Sequence, residues 1–505
     1  MITWGWTGMS HDASLAVFSD NGLEFAAHSE RYSRIKNDKN IHLHLIDEAL
    51  EHGGRPDKIY FYENPLLKKT RQLYAGQYKL LKKPSPTEYL RSAAYDFKLP
   101  KSTPVNHHLS HAAAGYYTHP FKKDEASVLV LDSIGEWDTV SIWEGNNAKL
   151  RKRWSQSYPH SVGIWYSAMT QRIGLKPQEH EYILMGMAAI GDPDRYYELI
   201  KMDFISKLPS LQDPRTLFKR NCHRGCMDWR TDLNSVQDYA DIAAATQRIY
   251  EEIFDRYCMI TAEKTSSRNL ILMGGCVLNC VANPIAYKYF DKVWIMPNPG
   301  DAGSAIGCVL AHKREFMEIP HAFTGTNIQG EYPVDAVIKA LQKEKITAVA
   351  AGRAEFGPRA LGHRSILADP RGLDVKDRVN AIKHREAFRP FAPMILEEYA
   401  HEYFEMPEKL VSSPFMQFVV KCKQPDKFPA IIHYDGTSRV QTVGIENGNV
   451  RDLLERWHKL TGCPMLLNTS LNIKGEPLVN TRADAERWSK EYGVKVCLPE
   501  SGNGL

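Results

Sequence analysis

An uninterrupted apolar run long enough to span a bilayer is missing from this sequence. Its most apolar later stretch, Leu270 to Ala286, is broken by Gly274, Gly275 and Asn279. The first residues, Met1 to Gly8, lack the basic and apolar segments of an export signal, so a soluble, unexported, cytoplasmic protein with no membrane partner is expected. Low-complexity tracts are absent as well, which argues against long disordered arms. Charge of one sign is scarce: the formal net charge is +4, and that balance by itself implies no polyanionic partner. Cysteine is sparse and scattered, nine in all, an odd number that suits a reducing compartment better than a disulfide framework. Cys222 and Cys226 flank His223, yet no second ligand pair stands at a finger-like spacing, so they read as buried or surface thiols rather than a zinc site.

What is present is ample core material: 505 residues, 43% hydrophobic, too many for one ordinary core. Ala13–Ser19, the turn residues Asp20-Asn21-Gly22 and Leu23–His28 predict a β-hairpin. Further strands are expected at Ile59–Tyr62, Val128–Leu131, Val140–Trp143, Leu270–Met273 and Val293–Met296, with helix-length segments between them. That alternation is α/β. Around residues 320–335 the pattern loosens, then restarts as helix and strand at Val334, giving two expected domains, 1–330 and 331–505.

Residues 64–101 differ in tone. Lys68, Lys69, Arg71, Lys79, Lys82, Lys83, Arg91, Lys98 and Lys101 are interleaved with Tyr74, Tyr78, Tyr89 and Tyr95, and only Glu63, Glu88 and Asp96 in or beside them are acidic. A solvated helical hairpin accounts for this composition. So does an electrostatic surface for a phosphate-bearing acceptor with tyrosines for stacking.

The strongest local signal is His107-His108-Leu109-Ser110-His111, because histidines four apart share one face of a helix and can share one metal ion. Asp132 ends an apolar strand before Gly135, and Asp301 sits in the Gly-rich entry to a helix. Both serve equally well as metal ligands or as strand-end and helix-cap residues. Met273-Gly274-Gly275 and Gly300 to Gly307 follow strands or open helices, where backbone amides favour an anion, without matching a P-loop or dinucleotide spacing. The second half opens with a run of arginines among Gly357, Pro358, Gly362 and Pro393, turn chemistry that suits either phosphate forks or a salt-bridge web.

Six motifs then occur in order: Ser10-His11-Asp12-Ala13-Ser14, the His107/His111 pair, Phe356-Gly357-Pro358-Arg359-Ala360-Leu361-Gly362-His363-Arg364-Ser365, Phe388-Arg389-Pro390-Phe391-Ala392-Pro393, Arg439-Val440-Gln441-Thr442-Val443 and Asn468-Thr469-Ser470-Leu471-Asn472. Together they resemble the ATP-dependent O-carbamoyltransferases of the nodulation, cephamycin and tobramycin type, from about residue 4 to about residue 485. The resemblance implies an α/β N-terminal domain of the actin and sugar-kinase superfamily, similar to threonylcarbamoyl transferases. It implies an α+β C-terminal domain that is YrdC-like, similar to threonylcarbamoyl-adenylate synthases. The metal ligands it implies are His107, His111, Asp132 and Asp301, holding iron(II) or another divalent ion. His11 would stand nearest the acceptor hydroxyl, Lys36 would face the phosphate or carbonyl, and the adenylate in this N-terminal site is expected against Asp12, Gly274, Gly275, Gly300 and Gly303. ATP, with its Mg2+, and carbamoyl phosphate are expected at Arg359, Arg364, Lys383, Arg385, Arg389, Arg439, Ser470 and Asn472. Two departures stand out: Ile183 where relatives commonly carry Lys, and an unusual tail after Trp488.

The implied reaction forms carbamoyl-adenylate in one domain and transfers the carbamoyl group to a hydroxyl in the other, with release of AMP. The cationic stretch 64–101 points to a hydroxymethyl pyrimidine, in DNA or as a nucleotide, as acceptor. The alternative acceptor is a sugar or antibiotic hydroxyl on a small molecule. The alternative of another class is a nucleic-acid-binding scaffold without catalysis. A homodimer is a further expectation.

Overall fold

The computed structural model describes residues 1–96, 98–121, 125–207, 217–386, 389 and 391–500. By internal contacts the chain divides into two compact units. The first comprises Met1–Thr7, Ala16–Gly22 and Gly53–Glu318; the second comprises Gly8–Leu15, Leu23–His52 and Ile319–Leu505.

In the first unit, strands Thr3–Thr7, Lys58–Phe61 and Ser102–Pro104 pair in parallel. A second sheet runs in the order Lys292–Trp294, Asn269–Met273, Ala126–Gly135, Asp138–Asn146, Lys149–Ser157, parallel across its first three strands and antiparallel thereafter. Two helices, His107–Tyr116 and Ser304–Lys313, pack against each other, the former also touching Ala126–Gly135 and the latter Thr3–Thr7. Both are buried on nearly every side, which explains why they read HHLSHAAAGY and SAIGCVLAHK, with small residues where an ordinary surface helix carries polar ones. The closeness is measurable: a Cβ on Gly307 would lie 1.9 Å from the Ser110 carbonyl, and one on Gly5 would lie 1.9 Å from that of Ala305. Small side chains thus hold the start of one helix beside the start of the other, where the histidines and Asp301 stand.

The second unit is built on a seven-stranded mixed sheet ordered Phe418–Lys421, Thr437–Val443, Ala392–Leu396, Met465–Ser470, Arg364–Ala368, Ile346–Ala350, Val496–Cys497. Helices Val334–Glu344, Gly448–Thr461 and Arg482–Tyr492 belong to it, each amphipathic with one buried stripe. Both units are thus mixtures of helix and sheet.

Several expectations change. The division falls at Glu318/Ile319 rather than 330/331, and the segments 8–15 and 23–52 belong with the second unit. Polar contacts explain the latter. Tyr32 donates to Glu48 (2.6 Å) and meets Thr326 (3.0 Å), while Arg34 donates to the carbonyls of Leu478 (2.6 Å) and Pro477 (2.9 Å). The strand expected to end at Asp132 continues to Gly135, with a register irregularity between Leu131 and Gly135, so Asp132 lies at a break in pairing inside the strand. The edge strand Lys149–Ser157, too polar to stand out as a run, was not expected. No helix among the described residues is long and apolar enough to cross a membrane.

Candidate metal centre and lysine–arginine site

The helix His107–Tyr116 starts on Asn106, whose side chain accepts the Leu109 N–H at 3.2 Å, and this cap sets the first turn so that His107 and His111 face the same way. Their Nε2 atoms lie 3.1 Å apart. Asp132 Oδ2 stands 3.2 Å from His107 Nε2, and Asp301 Oδ1 stands 3.2 Å from His111 Nε2 and 3.4 Å from His107 Nε2. One ligand atom from each of the four residues fits within 4.8 Å of the others, and all four residues are buried.

Charge makes this cluster a candidate cation site. Two carboxylates have been taken out of water, and protonating both rings to balance them would set two positive nitrogens 3.1 Å apart. A divalent ion at the centre would neutralise both acids without that repulsion, and mixed imidazole and carboxylate ligands suit iron, zinc or manganese. The electrostatics agree. Burial alone would lower the His107 pKa, but Asp301 and Asp132 hold it well above the ordinary range. Burial and Asp301 push Asp132 up, yet the hydrogen bond and charge of His107 outweigh them and bring it to about 2.

Glycines and a buried acid shape the cluster. Gly275 N–H donates to Asp132 Oδ1 at 3.2 Å, leaving Oδ2 for His107. Gly274, at φ 96°, donates to the Pro299 carbonyl at 2.8 Å, and a Cβ there would meet the Leu131 carbonyl at 2.1 Å. Gly303 donates to the Gly300 carbonyl at 3.0 Å. In this structure the Gly275 amide thus orients Asp132, that of Gly274 ties the loop before Asp301 to the sheet, and that of Gly303 closes the turn at Gly300. A residue the sequence did not single out, Glu136, takes Asn64 N–H (2.5 Å), Asn106 Nδ2 (2.7 Å) and His107 N–H (3.1 and 3.2 Å) on its carboxylate. Its only sequence signal was an acid beside the strand-end glycine. Burial, with His107 opposing, pushes its carboxyl up to about 7.

A second centre forms around Lys383, which is buried. Its ammonium donates to Ser470 O (2.5 Å) and Oγ (3.0 Å) and to Asn472 O (3.0 Å) and Oδ1 (2.8 Å). Burial first, then the charges of Arg385, Arg389 and Lys36, hold its pKa well below the ordinary lysine range. Arg385 is oriented by Asn380 Oδ1 (2.8 Å) and lies 4.0 Å from the Phe391 ring centre. Arg389 pairs with Glu386 at 3.6 Å. Arg359 is half-buried in the loop after Gly357, and the Nε of Arg439 is buried with no hydrogen-bond partner among the described residues.

Arg364 is different. It is fully buried, and its guanidinium donates to five backbone carbonyls, those of Asn480, Ala351, His363, Thr326 and Gly352, at 2.8–3.1 Å. Every N–H it owns is engaged, so Arg364 is a structural hub and the expectation that it binds phosphate is corrected. Lys36, expected at the transfer site, belongs to the second unit and bears on Lys383. His11 and Asp12 group there too, with His11 Nδ1 3.1 Å from Asp12 Oδ2.

The basic stretch is partly committed internally. Lys68 pairs with Glu63 at 2.5 Å, Arg71 donates to the Glu136 carbonyl at 2.9 Å and Arg91 to that of Leu99 at 2.8 Å. Lys79, Lys82, Lys98 and Lys101 are exposed, as are Tyr74, Tyr78 and Tyr95. Cys222 and Cys226 are buried thiols, pushed up by burial to about 11 and about 12, unlike zinc thiolates.

The carbamoyltransferase N-terminal family model matches residues 72–310 and the carbamoyltransferase C-terminal model matches 338–500. The nodulation protein NolO of Bradyrhizobium diazoefficiens is 33% identical, over 75% of this chain and 75% of its own length. The chain belongs to the carbamoyltransferase family. An uncharacterized protein of Synechocystis, sll1178, is 31% identical to this carbamoyltransferase over 96% of the chain and 93% of that protein. Full-length HypF in its phosphate- and nucleotide-bound form aligns with 62% of this carbamoyltransferase at 12% identity and a TM-score of 0.38, covering 46% of HypF. Ile183, where a cation was expected, is 2% exposed in the helix Glu181–Met187, so in this carbamoyltransferase that position supplies packing and no charge.

Proposed function

We propose that this carbamoyltransferase consumes ATP and carbamoyl phosphate, forms carbamoyl-adenylate at the Lys383 centre and carbamoylates a hydroxyl at the His107–Asp301 centre, with a hydroxymethyl pyrimidine, in DNA or as a nucleotide, as acceptor. The observation that carries the reading is the presence of two chemically distinct buried centres, one in each compact unit: two histidines with two aspartates, and a lysine flanked by arginines. An activated carbamoyl donor is required because nitrogen donates into the carbonyl and makes a carbamoyl group a sluggish acyl donor. Hydrolysis of carbamoyl phosphate gives carbamate and phosphate. The carbamate oxygen then attacks the α-phosphorus of ATP and expels pyrophosphate, and the acceptor oxygen attacks the carbamoyl carbon and expels AMP, losing its proton.

The cations of the second centre suit the first step: Arg385, Arg389 and Lys36 concentrate positive charge around Lys383, where a triphosphate must be held, and Arg359 and Arg439 add forked donors. Ser470 and Asn472 orient the lysine. His11 is the proposed base for the acceptor hydroxyl, with Asp12 on Nδ1 fixing the ring so that Nε2 takes the proton. Iron(II) or another divalent ion held by His107, His111, Asp132 and Asp301 would supply Lewis acidity toward a phosphate or carbonyl oxygen. The exposed lysines 79, 82, 98 and 101 with the exposed tyrosines favour an anionic acceptor with ring faces.

The test is to incubate the enzyme with ATP, Mg2+, carbamoyl phosphate and one of three acceptors: hydroxymethylated DNA, a free hydroxymethyl nucleotide or an aminoglycoside. AMP, pyrophosphate and a carbamoyl mass increment on either of the first two are expected. ADP in place of AMP would overturn the adenylate, and transfer to the aminoglycoside alone would overturn the acceptor.

A further inference from the structure

The hairpin that carries Asp132 turns at Gly135, Glu136 and Trp137, and this tip is built around a metal-site histidine. A Cβ on Gly135 would lie 2.3 Å from the His107 ring, and Glu136 accepts the His107 N–H. The next residue, Trp137, is half-buried, and its indole N–H donates to Thr70 Oγ1 at 3.1 Å, which fixes the plane of the ring. Beside it stands Tyr74, with ring centres 5.5 Å apart and planes inclined at 56°. The two rings therefore form an open corner rather than a closed stack. Tyr158 backs the corner, its ring centre 6.3 Å from that of Tyr74 in an edge-on contact, and its N–H donates to the Trp137 carbonyl at 2.8 Å.

Exposure sets this corner apart from core packing. Tyr74 is 69% exposed at the C-terminal end of the helix Pro65–Tyr74. The turn Tyr78–Lys82 that follows packs on that helix and presents exposed Tyr78, Lys79 and Lys82. An aromatic corner next to a metal-site histidine, edged by cations, has the chemistry that grips a flat, electron-poor ring attached to a phosphate.

We propose that Tyr74 and Trp137 are the residues that hold the acceptor's ring, and that the ring is the pyrimidine base of a hydroxymethylated nucleotide. This assignment rests on the acceptor reading above and adds to it the residues and the face of the first unit that would recognise it. Stacking positions the base while its hydroxymethyl group remains at the ring edge, available for transfer, and the lysines take the phosphate. No bond is made or broken by either ring.

The experiment measures carbamoyl transfer to 5-hydroxymethyl-dCMP and to a single-stranded oligonucleotide containing the same base, with wild type, Tyr74→Ala, Trp137→Ala and Trp137→Phe. The expected result is a KM for the nucleotide raised about tenfold in each alanine variant, kcat within about twofold, and recovery toward wild type in Trp137→Phe. A titration of the intrinsic fluorescence with 5-hydroxymethyl-dCMP should quench wild type and lose most of that quenching in Trp137→Phe. Tyr74 is a surface side chain, so Tyr74→Ala keeps the test valid even if Trp137→Ala folds poorly. If wild type carbamoylates the nucleotide, but Tyr74→Ala keeps the wild-type KM and Trp137→Phe keeps the wild-type quenching, the corner is wrong and the acceptor reading stands. If wild type carbamoylates neither nucleotide nor oligonucleotide, the acceptor reading falls and the corner falls with it.

Discussion

The carboxylate of Glu136 closes over the first N–H of the helix that carries both metal-site histidines, accepting His107 N at 3.1 and 3.2 Å while also holding Asn106 and Asn64. A carboxylate there complements the helix dipole and locks the His107 backbone, so the ring can vary little in angle. Glu136→Gln keeps the shape but replaces one acceptor oxygen by a donor facing N–H groups. Metal affinity, measured by competition with a chelator, is expected to weaken about 10- to 100-fold, with secondary structure by circular dichroism unchanged.

Separate centres should separate on mutation. Asp301→Ala removes a carboxylate within 3.4 Å of both histidines and is expected to abolish metal retention and carbamoyl transfer, while carbamoyl-phosphate-dependent release of pyrophosphate persists. Lys383→Met is expected to do the converse, losing pyrophosphate release while transfer from supplied carbamoyl-adenylate continues. Equal loss of both activities in either variant would mean one composite site.

Arg364 should behave as a folding residue. Its replacement by Ala removes a donor from each of five backbone carbonyls and is expected to lower stability by about 3–5 kcal/mol, seen in chemical denaturation. Arg359→Ala, by contrast, should leave the unfolding midpoint within a degree or so and suppress pyrophosphate release. A stable, fully folded Arg364→Ala that fails only in nucleotide binding would restore the phosphate role.

Acid should destabilise the second unit through two histidines. Burial, reinforced by the Arg31 charge, lowers His28 to about 4, and burial lowers His363 to about 4 against the opposing charge of Glu355. In the unfolded chain such histidines take a proton near pH 6.5, so between about 6.5 and 4 the unfolded state binds more protons. Stability is therefore full above pH 6.5 and falls as the pH drops through that window, by roughly 3 kcal/mol per histidine at most. Urea titrations at pH 7.5 and 5 should show this loss, and His28→Gln should make the pH dependence shallower.

How much of this was readable beforehand differed by residue. The spacing of His107 and His111 pointed to one helix face, and the hairpin at Asp20-Asn21-Gly22 and the restart at Val334 were legible because turn chemistry and periodicity are local. Asp132 and Asp301 carried no such signal; only the resemblance linked them, because their partner lies 190 positions away for Asp301 and 25 for Asp132. Arg364 was misread because the sequence shows a guanidinium and not what it faces, and five carbonyls satisfy it as well as a phosphate does. Glu136 was missed for the opposite reason: a lone acid beside a glycine has no pattern, and its role appears only once three chain segments meet. The placement of residues 23–52 escaped notice because it depends on long-range pairs such as Tyr32 with Thr326.

The close approach of Gly274 to Leu131, with its N–H on Pro299, also bears on the order in which the protein matures. That crossing brings the loop before Asp301 against the strand bearing Asp132, and a larger residue would hold the two apart. A ribosome-bound chain that has exposed only the histidines and Asp132 has three of the four ligands and no means of placing the fourth. The four-residue cluster is therefore complete only after residues 107 and 301 have both been made and the Gly274 crossing has closed, so a bulkier residue at 274 would dismantle the cluster while leaving all four of its members in the sequence.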